Sequence, residues 1–338
     1  MRKLSLFIVA VLLICTTSAQ NMKAFISHKA YCTNKMQPYI EFTFIVGGNS
    51  VQYALNDKGK YQAAVEVRVD VEKGDTIVQT LHYILASDQF TDSVRTDKPD
   101  FADIQNFAVP NGDYYLNFYM KDRNSDSTEL KYIDRIVLNF PEDKISSSRI
   151  SLYEDMSAPI SPGMYIKYGY YMPPLYYNFV PEKQYILPFA LEVYNTKHVL
   201  GEGKELKAKC FIENVENKLV ALPNSIITKK LKTDDVVLVI DQLNVFSLPS
   251  GNYNMVVELY DSQDSLLLVN KLFFQKSNPS IKFDIARYDD VVIDNSFVSN
   301  MTDRKELESY VQSLYPISTN IEKEFFETYK KNICKHIK

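Results

Sequence analysis

The chain has 338 residues and a formal net charge of −4 at pH 7, and 46% of its residues are hydrophobic, 24% charged and 13% aromatic. This apolar content is enough to offset chain entropy, so the composition excludes a disordered chain. Ten glycines and 14 prolines are too few for a collagen-like chain. A mildly acidic chain does not attract nucleic acid or anionic lipid, and we expect neither as a partner. The length predicts two domains and an additional segment.

Residues 1–19 have the pattern of a signal peptide. Arg2 and Lys3 precede an apolar run from Leu4 to Ile14, and small residues follow at 17–19. The run is shorter than the about 20 residues that a membrane span needs, and we expect no transmembrane segment. A lipid anchor on Cys15 is the alternative, but a large residue precedes this cysteine. We expect an exported protein that begins near Gln20 and is periplasmic, outer-membrane-associated or on the cell surface.

Short runs of alternating apolar and polar residues dominate the next part of the chain. Residues 39–46, 63–71 and 114–120 show this pattern, and Asn, Gly or Asp residues adjoin the runs. A period of two with such punctuation indicates half-buried antiparallel strands. No stretch with helical periodicity interrupts the strands before about residue 300, which favours sandwiches over parallel α/β sheets.

A short motif occurs twice. Residues 107–114 read FAVPNGDY and residues 246–253 read FSLPSGNY, and each motif begins a strand that ends at an aspartate. Two copies in register predict a tandem pair of domains. The predicted fold is mainly β, with two tandem antiparallel immunoglobulin-like β-sandwich domains and a short α-helical C-terminal segment. Its expected divisions are domain 1 at 20–142, a linker at 143–183, domain 2 at 184–278, and a connecting strand with two helices at 279–338.

The linker is rich in tyrosine and proline. A flexible linker would be rich in Gly and Ser, whereas Pro173 and Pro174 favour an extended course. Two interpretations are open: the rings are buried between the domains, or they form an exposed platform for a glycan or a protein. The tyrosines concerned are Tyr165, Tyr168, Tyr170, Tyr171, Tyr176 and Tyr177.

The C-terminal segment predicts two amphipathic helices. Asp303 and Glu306 form a capping box, and apolar residues then follow at helical spacing as far as Pro316. A second stripe runs from Ile321 to Ile333. Each stripe must be covered by the sandwich, by the other helix or by a partner. The candidate partner-binding residues are Leu307, Tyr310, Leu314, Phe325 and Tyr329.

Motifs that would carry catalysis are absent from the sequence. His28, His82, His198 and His336 are far apart and lack metal-ligand spacing, so we predict no metal and no cofactor. The sequence contains no G-x-S-x-G motif either. We therefore expect a protein without enzymatic activity. A hydrolase with an unrecognised carboxylate pair is a third hypothesis.

The mature chain keeps three widely spaced cysteines, Cys32, Cys210 and Cys334. One disulfide among them is an alternative, since an exported protein meets an oxidising environment. We expect buried free thiols.

Four Asp-Ser or Asp-Thr pairs are each followed by an aliphatic residue or Thr. This pattern is similar to the O-glycosylation acceptor of exported Bacteroidota proteins, although such pairs are also ordinary turn residues. The candidate acceptors are Thr76, Ser93, Ser127 and Ser265.

Several segments resemble the exported Bacteroidota proteins known as GWxTD domain-containing proteins. They read PYIEF at 38–42, ILPFALEVYNTKHVLG at 186–201, LESYVQSLYPIS at 307–318 and EKEFF at 322–326. The naming Gly-Trp-x-Thr-Asp motif is absent, because the chain has no Trp. The chain resembles the N-terminal region of that family, as a short form or through an early end of the reading frame. The resemblance implies location and architecture, and no functional residues.

Together these features predict a non-enzymatic binding or scaffolding protein of the cell envelope. It would act through its sandwich modules and C-terminal helices on an envelope protein partner. The alternative is a surface protein that binds carbohydrate through tyrosine platforms.

Overall fold

The computed structural model describes residues 22–91, 97–159, 163–216, 218, 220–222, 225–281, 303–315, 318 and 323. The predicted signal peptide lies outside these residues, as do Cys15 and Cys334. The mainly β fold predicted from the alternating runs is confirmed. Within the described residues, no helix combines the length and apolarity needed to cross a membrane.

The first half of the chain forms two antiparallel sheets around one hydrophobic core. A three-stranded sheet has the order β1-β2-β7, and a four-stranded sheet has the order β6-β5-β8-β9. Because side chains alternate along each strand, Ile40, Phe42 and Phe44 face inward from β2 and meet valines of β5. The strands are β1 (Ala24–Cys32), β2 (Pro38–Val46), β3 (Ala54–Leu55), β4 (Tyr61–Gln62), β5 (Ala64–Lys73), β6 (Thr76–Ala86), β7 (Phe101–Ala108), β8 (Gly112–Asp122) and β9 (Leu130–Leu138).

The second half of the chain repeats this arrangement around a second core. A five-stranded sheet has the order β14-β20-β19-β16-β17, and it faces a sheet in which β15 pairs with β10, β11 and β18. The strands are β10 (Ser146–Ser147), β11 (Ser151–Leu152), β12 (Ile166–Lys167), β13 (Tyr170–Tyr171), β14 (Phe179–Val180), β15 (Ile186–Tyr194), β16 (Glu205–Asn214), β17 (Ile227–Lys232), β18 (Val236–Asn244), β19 (Gly251–Asp261) and β20 (Leu266–Lys276). The helices are α1 (Thr196–Leu200) and α2 (Arg304–Leu314).

The repeated motif occupies the same place in both cores. Tyr114 and Tyr253 are buried, and each ring folds back over the glycine two residues earlier. A Cβ atom added at Gly112 would lie 3.0 Å from the Tyr114 ring, and one at Gly251 would lie 3.1 Å from the Tyr253 hydroxyl. The motif therefore needs glycine because the ring occupies the space of a side chain.

Strand β15 joins the two halves because it is buried on both faces. Phe189 and Leu191 belong to the second core. Tyr194 belongs to the first core, where its ring meets Phe140 edge to face at 5.3 Å. A strand covered on both sides has a continuous apolar sequence rather than an alternating one, as residues 187–191 show.

Residues 143–183, the predicted linker, contribute strands of their own. Ser146–Ser147 and Ser151–Leu152 pair with β15, and Ile150 and Leu152 lie in the second core. Ile166–Lys167 and Tyr170–Tyr171 form a small hairpin. This segment is thus folded onto the rest of the chain.

Two of the three mature cysteines are buried free thiols, as predicted. Cys32 lies in the first core and Cys210 in the second. Burial raises the pKa of the Cys32 thiol to about 11 and that of Cys210 to about 12. Both therefore stay protonated at neutral pH and are poor nucleophiles.

Candidate functional site

The tyrosines of the linker divide into two groups. Tyr165, Tyr168 and Tyr176 are half-buried, whereas Tyr170, Tyr171 and Tyr177 are exposed. The linker packs on the outer face of the three-stranded sheet, where the Phe25 ring meets Tyr176 at 5.2 Å and Tyr177 at 4.9 Å, both edge to face. The first three residues therefore fit the interpretation of packed rings, and the last three fit that of an exposed platform.

A buried carboxylate fastens the linker to β15. Tyr168 donates a hydrogen bond of 2.5 Å to Glu192, and Tyr194 donates one of 2.7 Å to its other oxygen. The backbone N–H of Glu192 donates to Ser148 Oγ at 3.1 Å. Burial, together with the Glu192 carboxylate, raises the pKa of both phenols well above their usual range. Both tyrosines remain donors at neutral pH, and Glu192 is satisfied without a cation.

A cavity of about 520 Å³ lies beside this junction, and we call it the junction cleft. Its floor is the outer face of β1 and β2, since alternation places Ser27 and Lys29 on that face together with Tyr39, Glu41 and Thr43. Its walls come from residues 149–153 and from the hairpin of the linker. The charged residues on the floor and walls are Lys29, Glu41, Arg149 and Lys167.

One of these cations is already paired within the protein. Lys167 Nζ lies 3.0 and 3.3 Å from the two oxygens of Glu41. The same ammonium lies 4.2 Å from the centre of the Tyr31 ring, a cation–π contact. Lys167 thus attaches the linker to the floor of the cleft, and its ion pair neutralises the charge of Glu41.

The other two cations make no ion pair within the described part of the chain. Lys29 donates to Ser151 Oγ at 3.0 Å, and Arg149 is exposed at the edge of the cleft. Desolvation lowers the pKa of Lys29 to about 8; Glu41 opposes this effect, and Lys167 and Arg149 add to it. The junction cleft therefore holds more positive than negative charge.

Four described tyrosines line the cleft: Tyr39, Tyr153, Tyr165 and Tyr176. The buried Tyr31 stacks on Tyr39 with ring centres 5.6 Å apart, and its hydroxyl lies 3.4 Å from Ser151 Oγ. Burial raises the pKa of Tyr39 to about 12 and holds those of Tyr31 and Tyr153 well above their usual range. These phenols are neutral at physiological pH, so they offer hydrogen bonds and ring surface but no charge.

The pair of carboxylates that the hydrolase hypothesis requires is not found in the cleft. Among the described residues that line it, Glu41 is the one carboxylate, and its charge is used by Lys167. Nor does the described part of the chain contain a cluster of three His, Cys, Asp or Glu side chains able to hold a metal ion. The residues of the cleft are suited to bind a ligand through two cations, hydroxyl groups and aromatic rings.

The predicted partner-binding residues are only partly described. The first C-terminal helix is present as α2, and Asp303 caps it by accepting from the Lys305 N–H at 2.8 Å. Tyr310 and Leu314 are exposed on this helix. Leu307 lies within it, and Phe325 and Tyr329 lie outside the described residues. Neither core contains a described residue of α2.

The candidate glycosylation sites lie at hairpin connections where they are described. Thr76 and Ser265 are exposed at the starts of β6 and β20, and Ser127 is half-buried between β8 and β9. Ser93 lies outside the described residues. Modification of these residues stays a prediction.

The residues of the junction cleft were not singled out from the sequence. Lys29, Arg149 and Lys167 belong to different strands and loops that only the folded chain brings together. A partial signal was present, since Lys29 and Glu41 lie in mostly apolar strands and each is two residues from a tyrosine. Nothing in their spacing connects them.

No family model matches this chain, and no curated protein matches it. Among solved structures, it is similar to red sea bream transglutaminase at 8% identity, with a TM-score of 0.24 and coverage of 80% of this chain and 33% of that one. The fibronectin(III)-like modules of Clostridium thermocellum CbhA give 11% identity, a TM-score of 0.20 and coverage of 73% and 89%. Escherichia coli alpha-2-macroglobulin, activated by porcine elastase, gives 7% identity, a TM-score of 0.23 and coverage of 78% and 22%. The chain spans about a third of the transglutaminase and about a fifth of the macroglobulin.

Proposed function

We propose that this chain is a non-enzymatic, exported binding or scaffolding protein of the cell envelope. The observation that carries the proposal is the junction cleft, because binding sites occur preferentially where two packed units meet. Its charged and aromatic side chains are held by hydrogen bonds that cross the junction. The signal-peptide pattern of residues 1–19 and the resemblance to exported Bacteroidota proteins support the location.

The C-terminal helix is the second part of the proposed binding surface. Tyr310 and Leu314 are exposed on α2, and no described residue of this helix belongs to either core. Exposed apolar side chains on an amphipathic helix suit an envelope protein partner.

Site-specific photo-crosslinking in the source bacterium tests this proposal. A photoreactive residue would replace Tyr165 in the cleft or Tyr310 on α2, and the matched control would replace the exposed Leu55 in β3. We expect a defined envelope protein or ligand to be captured from the first two positions and not from Leu55. Capture of the same set of proteins from all three positions would contradict a specific surface.

Export is tested separately by fractionation and intact mass. We expect the full-length chain to be recovered from the envelope or periplasm with about residues 1–19 removed. An unprocessed chain in the cytosol would contradict an envelope function, whatever the crosslinks show.

Carbohydrate binding is the alternative, and the exposed tyrosines of the linker favour it. Tyr177 is 76% exposed, and Tyr170 and Tyr171 are also exposed. A flat sugar-binding platform needs parallel rings, yet Tyr171 meets Tyr165 at 69°. If glycan binding occurs here, Tyr177→Ala should weaken it at least tenfold in a titration with soluble glycans. The control Tyr115→Ala, an exposed tyrosine on the four-stranded sheet, should not. Equal affinities for both variants would reject this alternative.

A further inference from the structure

We propose that the junction cleft binds a small ligand with a single carboxylate, which lies between the Lys29 ammonium and the Arg149 guanidinium. This inference rests on the proposed binding function and names the chemical class of the ligand.

The charges of the cleft do not balance among the described residues. Lys29, Arg149 and Lys167 bring three cations to the cleft, and Glu41 brings one carboxylate, which pairs with Lys167. The buried Glu192 nearby accepts from two phenols and gives no ion pair to either remaining cation within the described residues. Two cations thus face the same cavity without a carboxylate partner in the described part of the chain, and an anionic ligand would supply one.

The position of Lys29 supports this inference. Its ammonium is held at 3.0 Å by Ser151 Oγ, which is a neutral acceptor, although a cation removed from water is best stabilised by a carboxylate. Desolvation lowers the pKa of Lys29 more than Glu41 raises it. Arg149 precedes Ser151 by two residues, also lines the cleft and contributes to the lowered pKa of Lys29, so the two cations lie near each other.

The size and polarity of the rest of the cavity suit a small molecule. A volume of about 520 Å³ is within the usual range of small-molecule sites, roughly 300–1,000 Å³. Apolar and aromatic side chains line part of it, among them Ile104, Leu175 and Tyr153, and polar side chains such as Thr43 and Asn106 line the rest. A ligand with a small apolar or aromatic body and hydrogen-bonding groups fits this lining.

The charges near Lys29 suit a carboxylate with a single negative charge. The Glu41 carboxylate lies on the cleft floor beside Lys29, its cross-strand neighbour, and although Lys167 pairs with it, its charge still acts on Lys29. A ligand with two negative charges would be repelled by Glu41 more strongly than a monoanion. The planar fork of Arg149 matches a carboxylate in two-point contact.

The test is a titration of the mature full chain with benzoate at pH 7, followed by NMR and calorimetry. Benzyl alcohol is the neutral match and inorganic phosphate the competing anion. We expect saturable benzoate binding that is at least tenfold tighter than that of either comparison compound. Lys29→Gln and Arg149→Gln should each weaken it at least tenfold, and the control Lys58→Gln on an exposed turn should leave it unchanged. The NMR titration should also show that benzoate raises the pKa of Lys29.

Three results would overturn the inference: no saturable benzoate binding, tighter binding of phosphate, or binding unaffected by Lys29→Gln and Arg149→Gln. These failures are distinguishable from failure of the proposed function. Specific crosslinks from Tyr310 without benzoate binding would reject the carboxylate site and leave the binding function in place. Benzoate binding by a chain that is retained in the cytosol would keep the site and reject the envelope function.

Discussion

Tyr114 and Tyr253 make the same hydrogen bond in the two cores, since each hydroxyl donates to the carbonyl of the proline four residues earlier. The distances are 3.0 Å to Pro110 and 3.1 Å to Pro249. The repeated motif is therefore a corner in which a buried ring, a glycine and a proline carbonyl depend on each other. This corner resembles in its bonding the tyrosine corner of immunoglobulin-like sandwiches.

Removal of either hydroxyl should destabilise the protein by a similar amount. Tyr114→Phe and Tyr253→Phe each leave a carbonyl without this donor, and we expect a loss of about 1 kcal/mol in the free energy of unfolding. The double variant should lose the sum, because the two tyrosines lie in separate cores. Urea unfolding followed by fluorescence measures these values. A large effect in one core and none in the other would show that the two corners are not equivalent.

Substitution of the corner glycine should cost more. The Cβ atom of Gly112→Ala would lie 3.0 Å from the Tyr114 ring, which must then move within a packed core. We expect a loss of about 1–3 kcal/mol, as is typical of overpacking. The matched control is Gly163→Ala, where a Cβ atom meets no described atom within 4 Å and should change stability by less than about 0.5 kcal/mol. Thermal unfolding measures the stability of both variants. Equal stability of Gly112→Ala and Gly163→Ala would contradict this account.

A buried lysine ends strand β20 and holds the end of the linker. Lys276 Nζ donates to the backbone carbonyls of Pro181 at 2.8 Å and Gln184 at 3.0 Å, and also to that of Glu182. Burial lowers its pKa. We expect Lys276→Met to lower the free energy of unfolding by about 2–3 kcal/mol, because hydrogen bonds to a charged donor are lost.

Faster proteolysis near residue 181 should accompany the Lys276 variant, since the linker loses this attachment. Lys230→Met, at an exposed position of β17, is the control and should behave like the parent protein. If both variants are cleaved at the same rate, Lys276 does not hold the linker.

Lys29 should make stability depend on pH in an identifiable way. Desolvation lowers its pKa from 10.5 to about 8 on folding; Glu41 opposes this shift, and Lys167 and Arg149 add to it. Below pH 8 both folded and unfolded chains carry the charge, and its burial costs about 3 kcal/mol. Between pH 8 and 10.5 the unfolded chain binds more protons, so this cost disappears as the pH rises.

The variant Lys29→Met should therefore be more stable than the parent protein at pH 7, by about 1–3 kcal/mol after the lost bond to Ser151 is allowed for. The difference should shrink at pH 10. Urea unfolding of both proteins at the two pH values measures it, and other titrating groups cancel in the comparison. A difference that stays constant with pH would mean that Lys29 titrates normally.

The sequence predicted those features that depend on neighbouring residues. Alternation along residues 63–71 placed the valines of β5 in the core, and the repeated motif predicted the starts of β8 and β19. The capping box located the start of α2 because a cap is a local interaction. Each of these predictions needs only a few residues whose geometry follows from their spacing.

The junction cleft could not be predicted from the spacing of residues along the sequence. Lys29 and Ser151 are far apart in the chain, and their contact depends on the pairing of β11 with β15. The apolar run of β15 indicates a strand covered on both faces, but it does not reveal which elements cover it. The predicted envelope partner and the glycosylation of Thr76 and Ser265 stay predictions.

Strand β15 also determines how rigid the cleft is. One face of this strand, with Phe189 and Leu191, belongs to the second core, and Tyr194 at its end belongs to the first, so the two halves of the molecule cannot swing apart without breaking the packing around Tyr194. The floor and the walls of the cleft keep their separation before any ligand arrives. A ligand that fits would thus bind to a preorganised receptor, with little conformational entropy lost on the protein side.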